Sequence, residues 1–258
     1  MSRFARPDYW GIPALVLITI LLRAYGLGFP NYHWDENIDF NNVFSASYNR
    51  LALLTYVHGS LHPYLMLAVW NLRLLYGGIE PSTSNLLHAF FADPRSFTIL
   101  ARGLAVLAST VTVVLTLVLG RRLYNPRIGW LSSILLAGTF LHAAESHYAR
   151  THIITTLFVV SALYYSSRIM KDGNQKDYLL AGISLGLATA AQYSMFITAV
   201  PVLYAHIAHL NISRGIKNQT SLSSHRPLIT SAGIALITFF CATPYAIIDA
   251  QRFFSELK

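Results

Sequence analysis

The sequence predicts an all-α membrane protein, a polytopic bundle of transmembrane helices. Of its 258 residues, 54% are hydrophobic and only 12% are charged, whereas soluble domains carry about 25% charged residues. The mean hydropathy is +0.45. A soluble surface needs more polar cover than this composition supplies, so we expect much of the apolar surface to face lipid.

Apolar runs along the chain define the predicted spans, each approaching the ~20 residues that a helix needs to cross a bilayer. The first run follows Arg3 and Arg6 and has no small-residue cleavage site after it, so we interpret it as an uncleaved span. A shorter run at 64–76 is expected to lie at the membrane surface. The spans are predicted at 10–27, 97–120, 128–144, 153–167, 178–191, 195–210 and 228–248.

Basic residues in short loops predict the orientation, because such residues are retained in the cytoplasm. They cluster before residue 7, at 121–127, at 168–176 and at 214–226. This pattern gives a single module, 1–258, in the cell membrane, with about seven spans and a cytoplasmic N-terminus. Residues 29–96 then form one extracytoplasmic loop with short juxtamembrane helices.

The charge and cysteine patterns exclude other classes of function. The net charge of +8 comes from the small loop clusters rather than from one long basic block, so we expect no nucleic-acid partner. The single cysteine, Cys241, cannot form an internal disulfide.

Most carboxylates fall on the predicted outer side, so we expect any chemistry there. Arg23, Arg102 and Arg150 also lie near outer helix ends. Basic residues at such positions either pair with an anion or reach the lipid headgroups. The outer carboxylates are Asp35, Glu36, Asp39, Glu80, Asp93, Glu145, Asp249 and Glu256.

The first polar group is the segment 31–39, directly after the first span. Asp35 and Asp39 share one face if a helix begins here. Acidic residues at this point suit a solvated first helical turn, and a carboxylate beside the membrane also suits a general base for an acceptor hydroxyl.

Two further polar groups follow along the chain. In 58–64, Pro63 suits a first helical turn whose amide groups either receive a phosphate or simply begin an interfacial helix. In 142–152 there are three histidines and Glu145. His147 and His152 are five residues apart and no His-Glu-x-x-His occurs, so a charged binding site is favoured over zinc.

These groups, in this order, resemble the N-terminal membrane part of GT-C glycosyltransferases of the family 39/83-like group. That group includes protein O-mannosyltransferases and the aminoarabinose transferases that act on lipid A. Each motif is weak alone, and their collinear order carries the resemblance. The motifs are Leu22–Leu27, Trp34–Glu36, His62–Tyr64, Leu119–Tyr124, Ser146–Arg150, Ala181–Gly186, Gln192–Tyr193 and Thr243–Asp249.

The resemblance implies an enzyme that moves a sugar, with inversion, from a polyprenyl-phosphate donor to a hydroxyl of a lipid, glycan or protein. The reaction would occur on the extracytoplasmic face. Asp35 maps to the family's base, and Glu36 is its neighbour in the motif. Phosphate is already a good leaving group, so no cofactor or metal is implied. The expected donor-phosphate and substrate contacts are Arg23, His62, Glu145, Arg150 and Tyr193.

The chain departs from the family pattern at two positions. His152 stands where many relatives have an acidic residue, and Gln192 stands where a lysine is common. Relatives also continue well past this length, so we expect an N-terminal module of a longer pattern.

Two other classes of function remain open from the sequence. A lipid or sugar transporter would place charges near the membrane midplane and show two matching halves, whereas here the charges gather at the outer rim and no halves match. The other alternative is a non-catalytic membrane scaffold subunit.

Overall fold

The computed structural model describes residues 10–28, 33–214 and 222–256, and all regular structure in them is helical, which confirms the all-α prediction. Arg3, Arg6, Asn31 and Lys217 lie outside the described residues. The helices are α1 (Gly11–Ala24), α2 (Trp34–Tyr48), α3 (Leu61–Tyr76), α4 (Thr83–Ala92), α5 (Pro94–Leu123), α6 (Pro126–Gly138), α7 (Phe140–Glu145), α8 (Thr151–Asp172), α9 (Gln175–Ala191), α10 (Ala199–Arg214), α11 (Arg226–Ala242), α12 (Tyr245–Ile248) and α13 (Ala250–Glu256), with 3₁₀ turns at Tyr193–Thr198 and Leu222–His225.

Within the described residues, three helical segments are long and apolar enough to cross a membrane: α5, α8 and Tyr193–Ile212. Helices α1 and α11 are apolar but shorter. The predicted span at 128–144 is divided at Thr139 into α6 and α7. Three spans are therefore clear from length and composition, and the count of about seven stays a prediction.

Helices α2, α3 and α4 pack with the start of α5 around an aromatic core, which gives the segment before α5 a hydrophobic centre of its own. Trp70 is fully buried, and its indole Nε1 donates a hydrogen bond to the carbonyl of Phe97 at 3.0 Å. The short helix predicted at 64–76 is present as α3, and it begins at Leu61 because Pro63 fits its first turn. The core aromatic residues are Phe40, Phe44, Trp70, Phe90 and Phe97.

Helix α9 packs closely against its neighbours α8 and α11. A Cβ atom added to Gly182 would lie 2.4 Å from the carbonyl oxygen of Ser231, and one added to Gly186 would lie 2.5 Å from that of Ala235. Small residues permit such close packing of helix backbones in membranes.

The two ends of the bundle carry different charged groups. Helix α5 has 30 residues and so is about 45 Å long. Near its C-terminus, Arg122 pairs with Asp172 at 2.6 Å, and at the same end Arg168 of α8 pairs with Asp177 of α9 at 2.6 Å. The carboxylates of α2 gather beside the other end of α5, where Glu36 pairs with Arg102, and the extracytoplasmic location of that end stays a prediction.

Replacing Gly182 with alanine should separate α9 from α11, because the added methyl group meets backbone atoms that cannot move independently. We expect a loss of about 1–3 kcal/mol in stability, measured as a lower thermal midpoint in detergent. Gly233→Ala is the matched control, since nothing lies within 4 Å of its added Cβ. Equal midpoints for the two variants would contradict this account of the helix contact.

Candidate functional site

The site is built on the first turn of α2, which starts with a reciprocal cap. The His33 ring Nδ1 accepts a hydrogen bond from the Asp35 N–H at 3.2 Å, and Glu36 Oε2 accepts one from the His33 N–H at 2.9 Å. These bonds satisfy amide groups that a helix start leaves free. The positive end of the helix dipole also stabilises the two carboxylates.

Glu36 is fully buried, and its carboxylate joins three parts of the chain. Its two oxygens accept hydrogen bonds from Arg102 Nε and Nη2, both at 2.8 Å. They also accept from the backbone N–H groups of Ala149 at 2.7 Å and of His33. A buried carboxylate needs such partners to offset its desolvation. Glu36 thus fixes α2 against α5 and against the segment that precedes α8.

Arg150 lies at the centre of a partly exposed polar group. Its Nη2 contacts Asp35 Oδ2 at 2.5 Å and His152 Nε2 at 3.0 Å, while its Nη1 donates to both oxygens of Glu145 at 3.0 and 3.1 Å. The side chains of Asp35 and Glu145 are 25% and 24% exposed. The group is therefore both preorganised and accessible to a substrate.

A second polar group lies one turn further along α2. Asp39 is buried, and its Oδ2 is 2.7 Å from His62 Nδ1, while its Oδ1 is 3.7 Å from His58 Nδ1. Burial raises the pKa of Asp39, but the interactions with His58 and His62 outweigh that effect and leave the pKa below its ordinary value. The sequence alone indicates no role for Asp39 or His58, and the available signal for Asp39 was its four-residue spacing from Asp35.

The loop before α3 is held against the C-terminal end of α9. A Cβ atom on Gly59 would lie 1.9 Å from the carbonyl oxygen of Ala191, so only glycine permits this approach. The same carbonyl accepts a hydrogen bond from Thr151 Oγ1 at 2.6 Å. Ser60 Oγ is 3.1 Å from the Tyr193 hydroxyl, which connects Tyr193 to the loop that carries His58 and His62.

Arg23 belongs to a different group, inside the bundle. It is fully buried and bonds to Ser109. Its guanidinium also donates to the carbonyl of Ala137 at 3.2 Å and lies 3.0 Å from His142 Nδ1. Ala137 is in the last turn of α6, where helix carbonyls lack internal partners, so Arg23 stabilises the helix break at Thr139.

A cavity of about 360 Å³ lies beside the Arg150 group, lined by His142, Glu145 and His152 among others. Of the residues predicted as site residues, the structure thus brings together Asp35, Glu145 and Arg150. The remaining predicted residues lie around this group as follows: His62 behind Asp39, Tyr193 at the neighbouring loop, Glu36 buried beneath, and Arg23 beyond His142.

The family model described as dolichyl-phosphate-mannose-protein mannosyltransferase matches residues 86–247, which is more than half of the chain. The chain belongs to this family. The GT-C glycosyltransferase resemblance seen in the sequence is thereby confirmed. The matched region of this mannosyltransferase-family chain includes Glu145, Arg150 and Tyr193, whereas Asp35 and Glu36 precede it.

The fold is also that of a solved member of the same group. The structure of the S. cerevisiae protein O-mannosyltransferase Pmt1-Pmt2 complex bound to the sugar donor matches with a TM-score of 0.70 and 19% identity. The match covers 100% of this chain and 35% of the yeast chain, so this family member spans about a third of that relative. No curated protein sequence matches the chain.

Replacing Arg102 with methionine should destabilise the protein strongly, because it leaves the Glu36 carboxylate buried without its ion-pair partner. We expect a loss of about 3–5 kcal/mol, measured as a lower thermal midpoint in detergent. Arg122→Met is the control: its pair with Asp172 is partly exposed and should contribute about 1 kcal/mol or less. Similar midpoints for the two variants would show that the Glu36 pair does not hold the fold together.

Proposed function

We propose that this protein is a membrane glycosyltransferase that moves a mannosyl group from a polyprenyl-phosphate donor to a hydroxyl acceptor. The observation that carries the proposal is the accessible Asp35 carboxylate, oriented by Arg150 at 2.5 Å at one end of an apolar helical bundle. Membership in the mannosyltransferase family supports the reaction class. A lipid, glycan or protein hydroxyl is the proposed acceptor.

In the proposed reaction Asp35 accepts the proton of the acceptor hydroxyl while the acceptor oxygen attacks the anomeric carbon of the sugar. The bond between that carbon and the phosphate oxygen breaks, and the lipid phosphate leaves with the electron pair. A single displacement from the opposite side inverts the anomeric carbon. Such a carboxylate base contributes about 10²–10⁴-fold to the rate. Lipid phosphate is a good leaving group, so we propose a direct displacement without a cofactor.

The neighbouring charges have distinct proposed roles. Arg150 orients Asp35 and places positive charge where negative charge develops on the leaving phosphate. Glu145 holds the guanidinium of Arg150 from its other side. Glu36 is proposed as a positioning residue, because all its described contacts are with protein groups that hold α2 in place.

The proposed site lies on the extracytoplasmic side of the cell membrane. The basic residues Arg121, Arg122 and Arg168 lie toward the opposite end of α5 and α8, and such residues are retained in the cytoplasm. The donor lipid would then enter the site from the bilayer, with its phosphate at the level of Arg150.

Replacing Asp35 with asparagine should lower kcat by ~10²-fold or more, because the amide cannot accept the acceptor proton. Transfer from radiolabelled polyprenyl-phosphate mannose is measured in membranes that contain the protein. Glu80→Gln is the control: Glu80 is an exposed carboxylate in the same loop and should leave transfer unchanged. Retention of transfer within threefold in the Asp35 variant would remove Asp35 as the base.

The orientation is tested with single cysteines introduced into a Cys241→Ala background. Ser84→Cys and Gln175→Cys place exposed thiols at opposite ends of the bundle. In intact cells, an impermeant thiol reagent should label position 84 only, and position 175 should react after lysis. The reverse pattern would place the carboxylates in the cytoplasm and overturn the proposed topology.

A further inference from the structure

A buried acid–histidine pair, Asp39 with His62, lies one helical turn from the proposed base. The side chains of both residues are almost wholly shielded from solvent, at 1% and 0% exposure. Residues four apart on a helix are surface neighbours with Cβ atoms about 5–6 Å apart. Asp39 therefore lies directly behind Asp35 on the same face of α2, although the proposed reaction gives the pair no role.

Only one of the two carboxylate oxygens of Asp39 takes part in the pair with His62. Oδ2 of Asp39 bonds to His62, whereas Oδ1 is buried and has no hydrogen-bond partner among the described residues. His58 Nδ1 lies 3.7 Å from that oxygen. A buried oxygen without a partner is costly, so its negative charge favours a positively charged imidazole at His58.

His58, unlike His62, is accessible, with its side chain 25% exposed. Its backbone position is fixed, since the adjacent Gly59 packs directly on the carbonyl of Ala191. The groups that face it are Asp39 and Asp35 from α2, Arg150 from the start of α8, and His62 across the same carboxylate. His58 thus adds a second cationic position to the side of the site where Arg150 lies.

We propose that His58, 3.7 Å from the buried Asp39 carboxylate, is a further donor-binding residue that contacts the phosphate of the lipid-linked sugar. The inference rests on the proposed function and specifies one contact in it. The donor phosphate is a diester with one negative charge, and it becomes a monoester with up to two as the bond to the sugar breaks. A second cation beside Arg150 stabilises that additional charge.

The pH dependence of the donor interaction follows from this arrangement. The Asp39 carboxylate, 3.7 Å from Nδ1, raises the pKa of His58 above its ordinary value, and burial opposes that effect only in part. His58 is therefore charged at low pH and loses its charge as the pH rises through the raised pKa. Donor affinity should fall over that interval. Carboxyl and guanidinium groups normally titrate far from neutral pH, so the test must distinguish His58 from the other histidines around the site, which are His33, His62 and His152.

Three variants test the proposal in membranes that contain the protein. His58→Gln should raise the donor KM or lower kcat/KM about 10- to 100-fold, the effect expected for loss of a hydrogen bond to a charged group. His58→Lys should restore much of the donor affinity and move the alkaline fall to higher pH, because lysine keeps its charge there. His88→Gln, an exposed histidine of α4 in the same loop, should match the unsubstituted protein.

A binding measurement adds a readout besides activity. Polyprenyl phosphate, the product, should raise the thermal midpoint of the unsubstituted protein and of His58→Lys, and raise that of His58→Gln much less. If His58→Gln does not fold, the pH profile of His58→Lys decides, since an unshifted alkaline fall would overturn the proposal.

The outcomes also separate this inference from the function on which it rests. Absence of mannosyl transfer by the unsubstituted protein would overturn the proposed function, whereas intact transfer in Asp35→Asn would remove only Asp35 as the base. If Asp35→Asn loses transfer while the His58 variants keep the donor KM, the pH profile and the response to polyprenyl phosphate, only the role of His58 is overturned.

Discussion

The buried ion pair between Glu36 and Arg102 is the constraint on which the rest of the site depends. It connects the first turn of α2 to α5, the longest described helix, and the same carboxylate also accepts a hydrogen bond from the backbone of Ala149. A paired charge at zero exposure tolerates little displacement, because each lost contact leaves a charge in a low-dielectric environment. Asp35 and Arg150, each next to one of these anchored residues, are thereby held in contact.

Helix geometry then assigns a different environment to each carboxylate of α2. Consecutive residues on an α-helix point about 100° apart, and residues four apart differ by only about 40°. Glu36 consequently faces the interior, while Asp35 and Asp39 share the face toward Arg150 and His58. The three acidic residues provide an anchor, an accessible carboxylate that we propose as the base, and a buried partner for histidines. Rotation about the helix axis separates Glu36 from the two aspartates, and position along the axis separates the exposed Asp35 from the buried Asp39.

The two departures from the family pattern have clear positions in the structure. His152 contacts the guanidinium of Arg150 at 3.0 Å, so a neutral or cationic ring occupies the place where many relatives have an acid. Gln192 ends α9 just before Tyr193. In the proposed reaction, the donor phosphate would therefore meet a site whose positive charge comes from arginine and, by our inference, from histidine rather than lysine.

The amino-acid composition and the positions of the basic residues were enough to predict an all-helical membrane protein. Both the high hydrophobic content and the basic loop clusters are local properties of the sequence. The motif order was likewise sufficient to indicate the GT-C family and to suggest Asp35, Glu145 and Arg150 as site residues, which the fold brings together. The partner of Glu36 and the pairing of Asp39 with His58 and His62 were decided only by tertiary structure. Each of these contacts joins residues brought together by helix packing, and a linear pattern does not specify which polar groups the packing will bury. The same reason explains the break at Thr139, which depends on Arg23 reaching the carbonyls at the end of α6.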